Sequence, residues 1–472
     1  MGLFSRNKSS KSSQHEPEAI SKDSSSTRGS VPSMKSGGMA STPVNIPEVA
    51  IARPPDPTLD SAGYLRSINA VRERSRQVFR KAKSNQLNHF DVDWAKFKDT
   101  ATYVVSIIKR DYAPDYKSIP PHGRWQHFEV GGRPRIDQLL TSWPSSVDAQ
   151  ERTRRLIDLF LVSVLLDAGS GRSWEYKSKE SGRIYRRSEG LAVASLEMFK
   201  TGLFSSHSSE PCQVDGAALS RLTVDQLAKG LQVSERNPIT GLEGRTGLLQ
   251  RLGAALNNQE LFGVDARPGN MLDYLLAHPS TQASSVPIIP LPTLWSVLID
   301  GLSSIWPASR TQIDGTPLGD AWPCTSMPRS PPAAPWENIV PFHKLTQWLC
   351  YSLMTPMSKL LNIHFAGREL LTGLPEYRNG GLFIDTGLLT LKPDDMKRGI
   401  ENFKKNSQSG KPSIEVVPLF NTDDDVIVEW RALTVSLLDE LLPEVNRLLG
   451  LKGKESLSLA QLLEAGTWKA ST

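Results

Sequence analysis

Leu156-Ile157-Asp158-Leu159-Phe160-Leu161-Val162-Ser163-Val164-Leu165-Leu166 is the stretch that decides the fold. Apolar side chains fill nearly every position, so no face of a helix here can turn to water. The run from Arg152 to Ala168 therefore reads as a central, buried helix, stopped by Gly169. Working outward, Leu65, Ile68, Val71, Val78 and Phe79 keep helical spacing through Tyr64 to Ala82, with Asp60 or Ser61 as the cap. Asp93 to Arg110 places Trp94, Phe97, Ala101, Val104, Val105 and Ile108 on one face. The same periodicity predicts helices over 191–200, 224–231, 242–257, 271–277, 291–302, 344–361 and 428–449. Strand signals are sparse. Trp174 to Tyr176 and Arg183 to Tyr185 flank a Ser/Gly turn and predict a small hairpin; Leu382 to Ile384 and 414–418 read as short strands. The expected fold is mainly α, a large multi-helix globule with at most a few short strands or one small hairpin.

The 472 residues divide unevenly. Residues 1 to about 50 hold thirteen serines and a single aromatic, Phe4, too little apolar surface to offset the entropy of ordering, and read as a disordered tail. Residues 58–472 read as one large helical domain, or as two lobes meeting near 279–335, where Pro-rich stretches at 279–292 and 323–335 predict surface loops. The polar stretch 404–411 reads as another loop. The net charge of +5 comes with no long Lys/Arg run, which argues against a nucleic-acid partner. No run of about 18 apolar residues is present, and Met1-Gly2-Leu3-Phe4-Ser5-Arg6 lacks the apolar core of a secretory signal. Gly2 matches a myristoylation pattern except that its hydroxyl, Ser5, stands one position early, so the start reads as a plain tail with no stable membrane association. Cys212, Cys324 and Cys350 stand far apart, outside any CxxC or Cys/His cluster. They read as reduced thiols of a cytoplasmic protein, the nucleus left open, and argue against a structural zinc site.

No P-loop, GxGxxG, HExxH or GxSxG occurs in the chain. The candidate chemistry lies instead in polar residues crowded beside Trp and Gly. In Pro341-Phe342-His343-Lys344-Leu345-Thr346-Gln347-Trp348, Lys344 and Gln347 share a helix face with Tyr351, and a lysine buried beside Trp348 needs an anionic partner. Glu376-Tyr377-Arg378-Asn379-Gly380-Gly381, followed by Asp385, has the composition of a ligand loop, the alternative being an exposed polar turn. Gly241-Leu242-Glu243-Gly244-Arg245 opens a helix and offers either a phosphate seat or an ordinary cap. Leu318-Gly319-Asp320-Ala321-Trp322 and Ile305-Trp306-Pro307 read as turns with a packed Trp. Glu429-Trp430-Arg431 fits an internal ion-pair network as well as a site. His122, His127 and His343 sit among Trp and Phe, where a hydrogen-bonded packing histidine is the commoner outcome than a catalytic base.

Taken in series, these strings resemble the fungal and bacterial family named for the fourth uracil-catabolism protein. The match runs from about residue 60 to 469 and includes Asn69 to Ser75, Gly123-Arg124-Trp125-Gln126-His127-Phe128, Ser163 to Gly169, Arg187 to Ala192, Gly241 to Arg245, Pro341 to Lys344, Glu376 to Gly381 and Glu429 to Thr434. The family carries a further basic segment beyond the stretch matching Gly466-Thr467-Trp468-Lys469-Ala470, which implies an early end here, at Thr472. A more distant resemblance links Lys344 to Gln347 and Glu376 to Arg378 with the queuosine salvage proteins, helical enzymes that cleave the N-glycosidic bond of a 5′-phosphorylated nucleoside. Those proteins have Asp where this chain has Glu376.

Together the resemblances imply a hydrolase of pyrimidine degradation, acting on a phosphorylated nucleoside-derived small molecule. The expected reaction is hydrolysis of a phosphoribosyl-urea-type, ring-opened nucleotide, with release of urea or a ureido acid. Glu376, Lys344 and, in reserve, Asp320 are the expected catalytic residues. Arg378, Tyr377, Gln347, His343, Arg245, Glu243, Asp385 and Trp348 are expected at the substrate, with Trp306, Trp322 or Trp348 as pocket walls. No metal and no cofactor are expected. A non-catalytic scaffold gathering other uracil-degradation enzymes and a metal-free ureide amidohydrolase remain the alternatives. One expectation follows from composition alone: deleting residues 1–50 leaves the melting temperature and activity nearly unchanged, checked by thermal denaturation of the truncated and full-length chains.

Overall fold

The central helix, Ala149–Leu166, starts at Asp148, whose carboxylate accepts the Glu151 N–H at 2.7 Å. Every residue from Leu156 to Leu166 is buried in the computed structural model, which describes residues 49–171, 173–307, 309–407 and 416–470. Asp158 is the one acid in this apolar run. It is compensated by Arg267 Nη2 at 2.8 Å and by the Gly269 N–H at 2.7 Å. Helices Lys344–Leu361 and Arg187–Lys200 pack along the central helix.

A second layer is built on the last long helix, Asp425–Leu449, which packs against Ile68–Lys83 and Phe97–Tyr112. Two charged anchors fix it. Fully buried Glu429 accepts the N–H groups of Asn88, His89 and Phe90 at 3.0, 2.9 and 3.1 Å. Arg72 reaches Asp439 at 2.7 Å and the carbonyl oxygens of Glu369 and Leu371 at 2.9 and 2.8 Å. One continuous apolar core runs through both layers, from Ile68 to Ala465.

The mainly α expectation holds: strands among the described residues are short and scattered. The hairpin forms where expected, with Tyr176 opposite Tyr185. Predicted helices 271–277 and 344–361 match Met271–Ala277 and Lys344–Leu361 end to end. Four expectations need correction. The helix through Tyr64 to Ala82 breaks at Ser67, which turns extended so that its hydroxyl accepts the Ala70 N–H and caps a second helix. Leu382 to Ile384 are not a strand but the end of helix Tyr377–Asp385; a Cβ on Gly380 would come within 2.5 Å of the Trp430 ring, so glycine serves packing there rather than turning the chain. The stretch 279–292 is not all surface loop. Pro287–Pro290 is a strand paired in parallel with His364–Ala366, with Ile288 and Ile289 fully buried. Val416 to Pro418 adopt no strand, and 414–415 lie outside the described residues. So do the Ser-rich tail up to residue 48 and the 408–411 part of the polar stretch, whose first residues continue helix Pro393–Ser407. Among the described residues no helix is long and apolar enough to cross a membrane.

His89 lies between two carboxylates, with Nδ1 2.8 Å from Asp395 and Nε2 2.7 Å from Asp425. Partial burial disfavours its charge, but the two acids outweigh it and hold the pKa near 9. A folded-state pKa above the ordinary value of about 6.5 means that the contribution is complete below that value and is lost as pH rises through 9. The stability gap between wild type and His89→Phe is therefore expected to be largest near pH 6 and to shrink by pH 10, as measured by chemical denaturation across that range.

Candidate active site

Gly123-Arg124-Trp125-Gln126-His127-Phe128 places two functional side chains on one face of the short helix Arg124–Phe128. Arg124 is fully buried and held by Asp167 at 2.8 Å, Ser163 Oγ at 2.8 Å and the Ser188 carbonyl at 3.2 Å. Its Nη1 also stands 3.1 Å from His127 Nδ1. A guanidinium has only N–H to offer, so Nδ1 accepts and the proton of the neutral ring sits on Nε2. That Nε2 is buried and has no hydrogen-bond partner among the described residues. Burial, and then the positive charges of Arg124, His122, Arg378 and Lys344, hold the His127 pKa well below its ordinary value, so the ring is neutral at pH 7.

Three aromatic rings close around it. Trp348, one turn beyond Lys344 on the same helix face, lies 5.5 Å from His127 and 4.7 Å from His122. Trp468 stacks on His127 at 4.8 Å and approaches His122 at 5.1 Å. Arg378 lays its guanidinium 3.7 Å over the Trp468 ring. The π-helical segment Leu463–Thr467 delivers Trp468 and also carries Glu464, whose carboxylate pairs with His122 Nδ1 at 2.6 Å. Trp348 Nε1 and Arg378 Nη1, like His127 Nε2, are buried without a hydrogen-bond partner. A buried donor left unpaired costs about 1–3 kcal/mol, so three within one cluster of rings single this interior out as the candidate site. Lys344 is half-buried at the helix start, and among the described residues its ammonium forms no ion pair. Glu376 caps helix Tyr377–Asp385, accepting the Asn379 N–H at 3.1 Å through one carboxylate oxygen, two residues before Arg378.

Of the residues read from sequence, the fold thus gathers Lys344, Trp348 and Arg378 around one interior, with Glu376 and exposed Tyr377 at the head of the helix that bears Arg378. Tyr377 Oη accepts from Arg378 Nε at 3.3 Å. The others are engaged elsewhere. Asp320 binds Arg431 through both oxygens at 2.8 and 2.7 Å and accepts from the Trp322 indole and the Lys344 N–H. Burial alone would raise its carboxyl, but Arg431 beside it drives the pKa far below the usual range, leaving no proton to give at neutral pH. Gln347 is locked to Thr372 by 2.8 Å bonds in both directions. His343 donates its Nε2–H to the Leu65 carbonyl, 2.8 Å away, and lies against Trp295. A carbonyl only accepts, so Nε2 carries the proton there.

Arg245 spends its N–H groups on the carbonyls of Leu166, Thr240, Gly241, Ala168 and Gly169, so it ties the end of the central helix to the start of Leu242–Ala255 and has no donor left for a phosphate. Glu243 and Asp385 are exposed. Trp306 packs over Gly319, away from this cluster. Sequence reasoning treated His122 and His127 as packing residues and passed over Arg124, Glu464 and Trp468. The Arg124/His127 spacing was the available signal. Among the described residues, no three His, Cys, Asp or Glu side chains are grouped to hold a metal.

These placements separate brace from site experimentally. Arg431→Met strands a buried carboxylate and is expected to cost about 3–5 kcal/mol. Lys344→Met removes a charge that forms no ion pair and should leave the melting temperature nearly unchanged. Calorimetry on both variants checks the contrast.

Comparison with known proteins agrees with the resemblance drawn from the motifs. The family model described as "Protein of unknown function (DUF1688)" matches residues 64–472. The chain is 46% identical over 421 residues to "Uracil catabolism protein 4" of Lachancea kluyveri, an alignment spanning 88% of this chain and 94% of the relative. It is 43% identical over 412 residues to "Protein urg3" of Schizosaccharomyces pombe, spanning 87% and 93%. With its whole described core inside the match, the chain belongs to the DUF1688 family, the family of uracil catabolism protein 4.

Proposed function

We propose that the protein takes part in uracil catabolism as an N-glycosidase, hydrolysing a ring-opened, phosphorylated uracil ribonucleotide of the phosphoribosyl-urea type. The name of the relative from Lachancea kluyveri supports the pathway. The observation that supports a phosphorylated ligand is the buried set of unpaired donors, His127 Nε2, Trp348 Nε1 and Arg378 Nη1, inside an aromatic-walled and positively charged interior. Phosphate supplies the acceptor oxygens that such a set requires, and Lys344 adds a charge without an ion-pair partner. In the reaction the C–N bond at the anomeric carbon breaks. Water oxygen bonds to that carbon, one water proton ends on the departing nitrogen, and the hydroxyl stays on the sugar. Positive charge builds at the anomeric carbon on the way. Glu376 is the carboxylate assigned to balance that charge or to orient the water, through the oxygen not spent on Asn379.

Glu376→Gln keeps an oxygen to cap the helix and loses only the charge. Its turnover of synthetic phosphoribosyl-urea is expected to fall about 10²–10³-fold with binding and melting temperature nearly intact. Product analysis by mass spectrometry of wild type and variant makes the test. Cleavage by Glu376→Gln at the wild-type rate removes Glu376 from the reaction.

A further inference from the structure

We infer that His127 is a ligand-binding residue that works as a fixed hydrogen-bond donor. Its Nε2–H, the Trp348 indole N–H and the Arg378 guanidinium together grip an anionic oxygen of a phosphate monoester, and Arg124 is the positioning residue that sends the imidazole proton to Nε2. The choice of a phosphate ligand rests on the function proposed above, whereas the donor geometry stands by itself.

Arg124 sets the orientation of the imidazole. Its guanidinium is immobilised by Asp167, Ser163 and the Ser188 carbonyl, at 2.8, 2.8 and 3.2 Å, and so presents N–H to His127 Nδ1 in one direction only. The imidazole packs against Trp348 at 5.5 Å and Trp468 at 4.8 Å, so a ring flip that would exchange its nitrogens has to displace these neighbours. Nε2 is left with an unpaired hydrogen, as are Trp348 Nε1 and Arg378 Nη1 in the same cluster of rings, and all three side chains are 1–3% exposed. The nearby acid, Glu464, is already paired with His122 at 2.6 Å. A general base would have to aim a lone pair at the ligand. Here the lone pair is turned back to Arg124, so the ring is built to donate, and a ligand that meets three donors must bring acceptors.

The test uses protein labelled with ¹⁵N in its histidine rings, with ribose 5-phosphate as probe and ribose as control. In the free protein at pH 7, His127 is expected as the neutral Nε2–H tautomer. Ribose 5-phosphate should shift its Nε2 resonance, and ribose should leave it in place. His127→Phe is expected to bind ribose 5-phosphate about tenfold more weakly, the loss of one hydrogen bond to a charged group, and His127→Gln, which returns an N–H at similar reach, to recover most of that loss. A proton on Nδ1, a doubly protonated ring, equal ribose 5-phosphate affinity in His127→Phe and wild type, or no preference over ribose would each overturn the inference. The readouts also keep the two proposals apart. Ribose 5-phosphate binding through His127 without cleavage of phosphoribosyl-urea would sink the glycosidase reading and leave this one standing. Cleavage by His127→Phe at wild-type efficiency would do the reverse.

Discussion

The carboxylate of Asp320 is the interaction on which the interior is hung. It takes both arms of Arg431 from the last long helix, the indole N–H of Trp322 and the first N–H of helix Lys344–Leu361. The backbone carbonyl of the same residue accepts from Phe342 and His343. One residue thus fixes where that helix starts and how it is rotated. Lys344 and Trp348 are on its first two turns, so their aim is set by Asp320 before any ligand enters. The carboxylate also sits at the positive end of the helix, where a negative charge is favoured by the helix dipole. His343, held in a left-handed conformation with φ of 45°, makes the sharp entry into the helix and is pinned by Leu65.

Charge is distributed in the molecule with a clear logic. Buried acids are matched by arginines or backbone N–H groups: Asp158 by Arg267, Glu429 by three consecutive amides, Asp439 by Arg72. Around His127 the balance is reversed. Arg124 has Asp167 and His122 has Glu464, while Arg378 spends its charge on a ring face and Lys344 forms no ion pair. Removing charge from water without a partner is unfavourable, so this excess costs stability that the matched pairs elsewhere do not.

The sequence was legible where local periodicity decided the structure. The central helix, the helix of Lys344 and the hairpin follow from spacing alone, because burial writes itself into the order of apolar residues. It was illegible where meaning comes from a distant partner. Asp320 has the look of a catalytic acid until Arg431, 111 positions away, makes it a brace. Arg245 reads as a phosphate ligand until the carbonyls at the end of the central helix take its donors. His127 and Trp468 come from opposite ends of the described chain and become neighbours only when the last turns fold back. Gly380 and Gly381 looked like a turn, since no sequence shows that a helix must pass beneath an indole.

That indole has a wider effect. Gly380 carries no side chain because Trp430 occupies the space, and the same short helix bears Arg378 two residues earlier. The height of the helix above the core, and hence the reach of the guanidinium, is set by the thickness of one tryptophan. Core packing and the placement of Arg378 are therefore one variable here rather than two. A methyl group added at position 380 would meet the indole first, so a change made for the core alone would lift the helix and carry Arg378 with it.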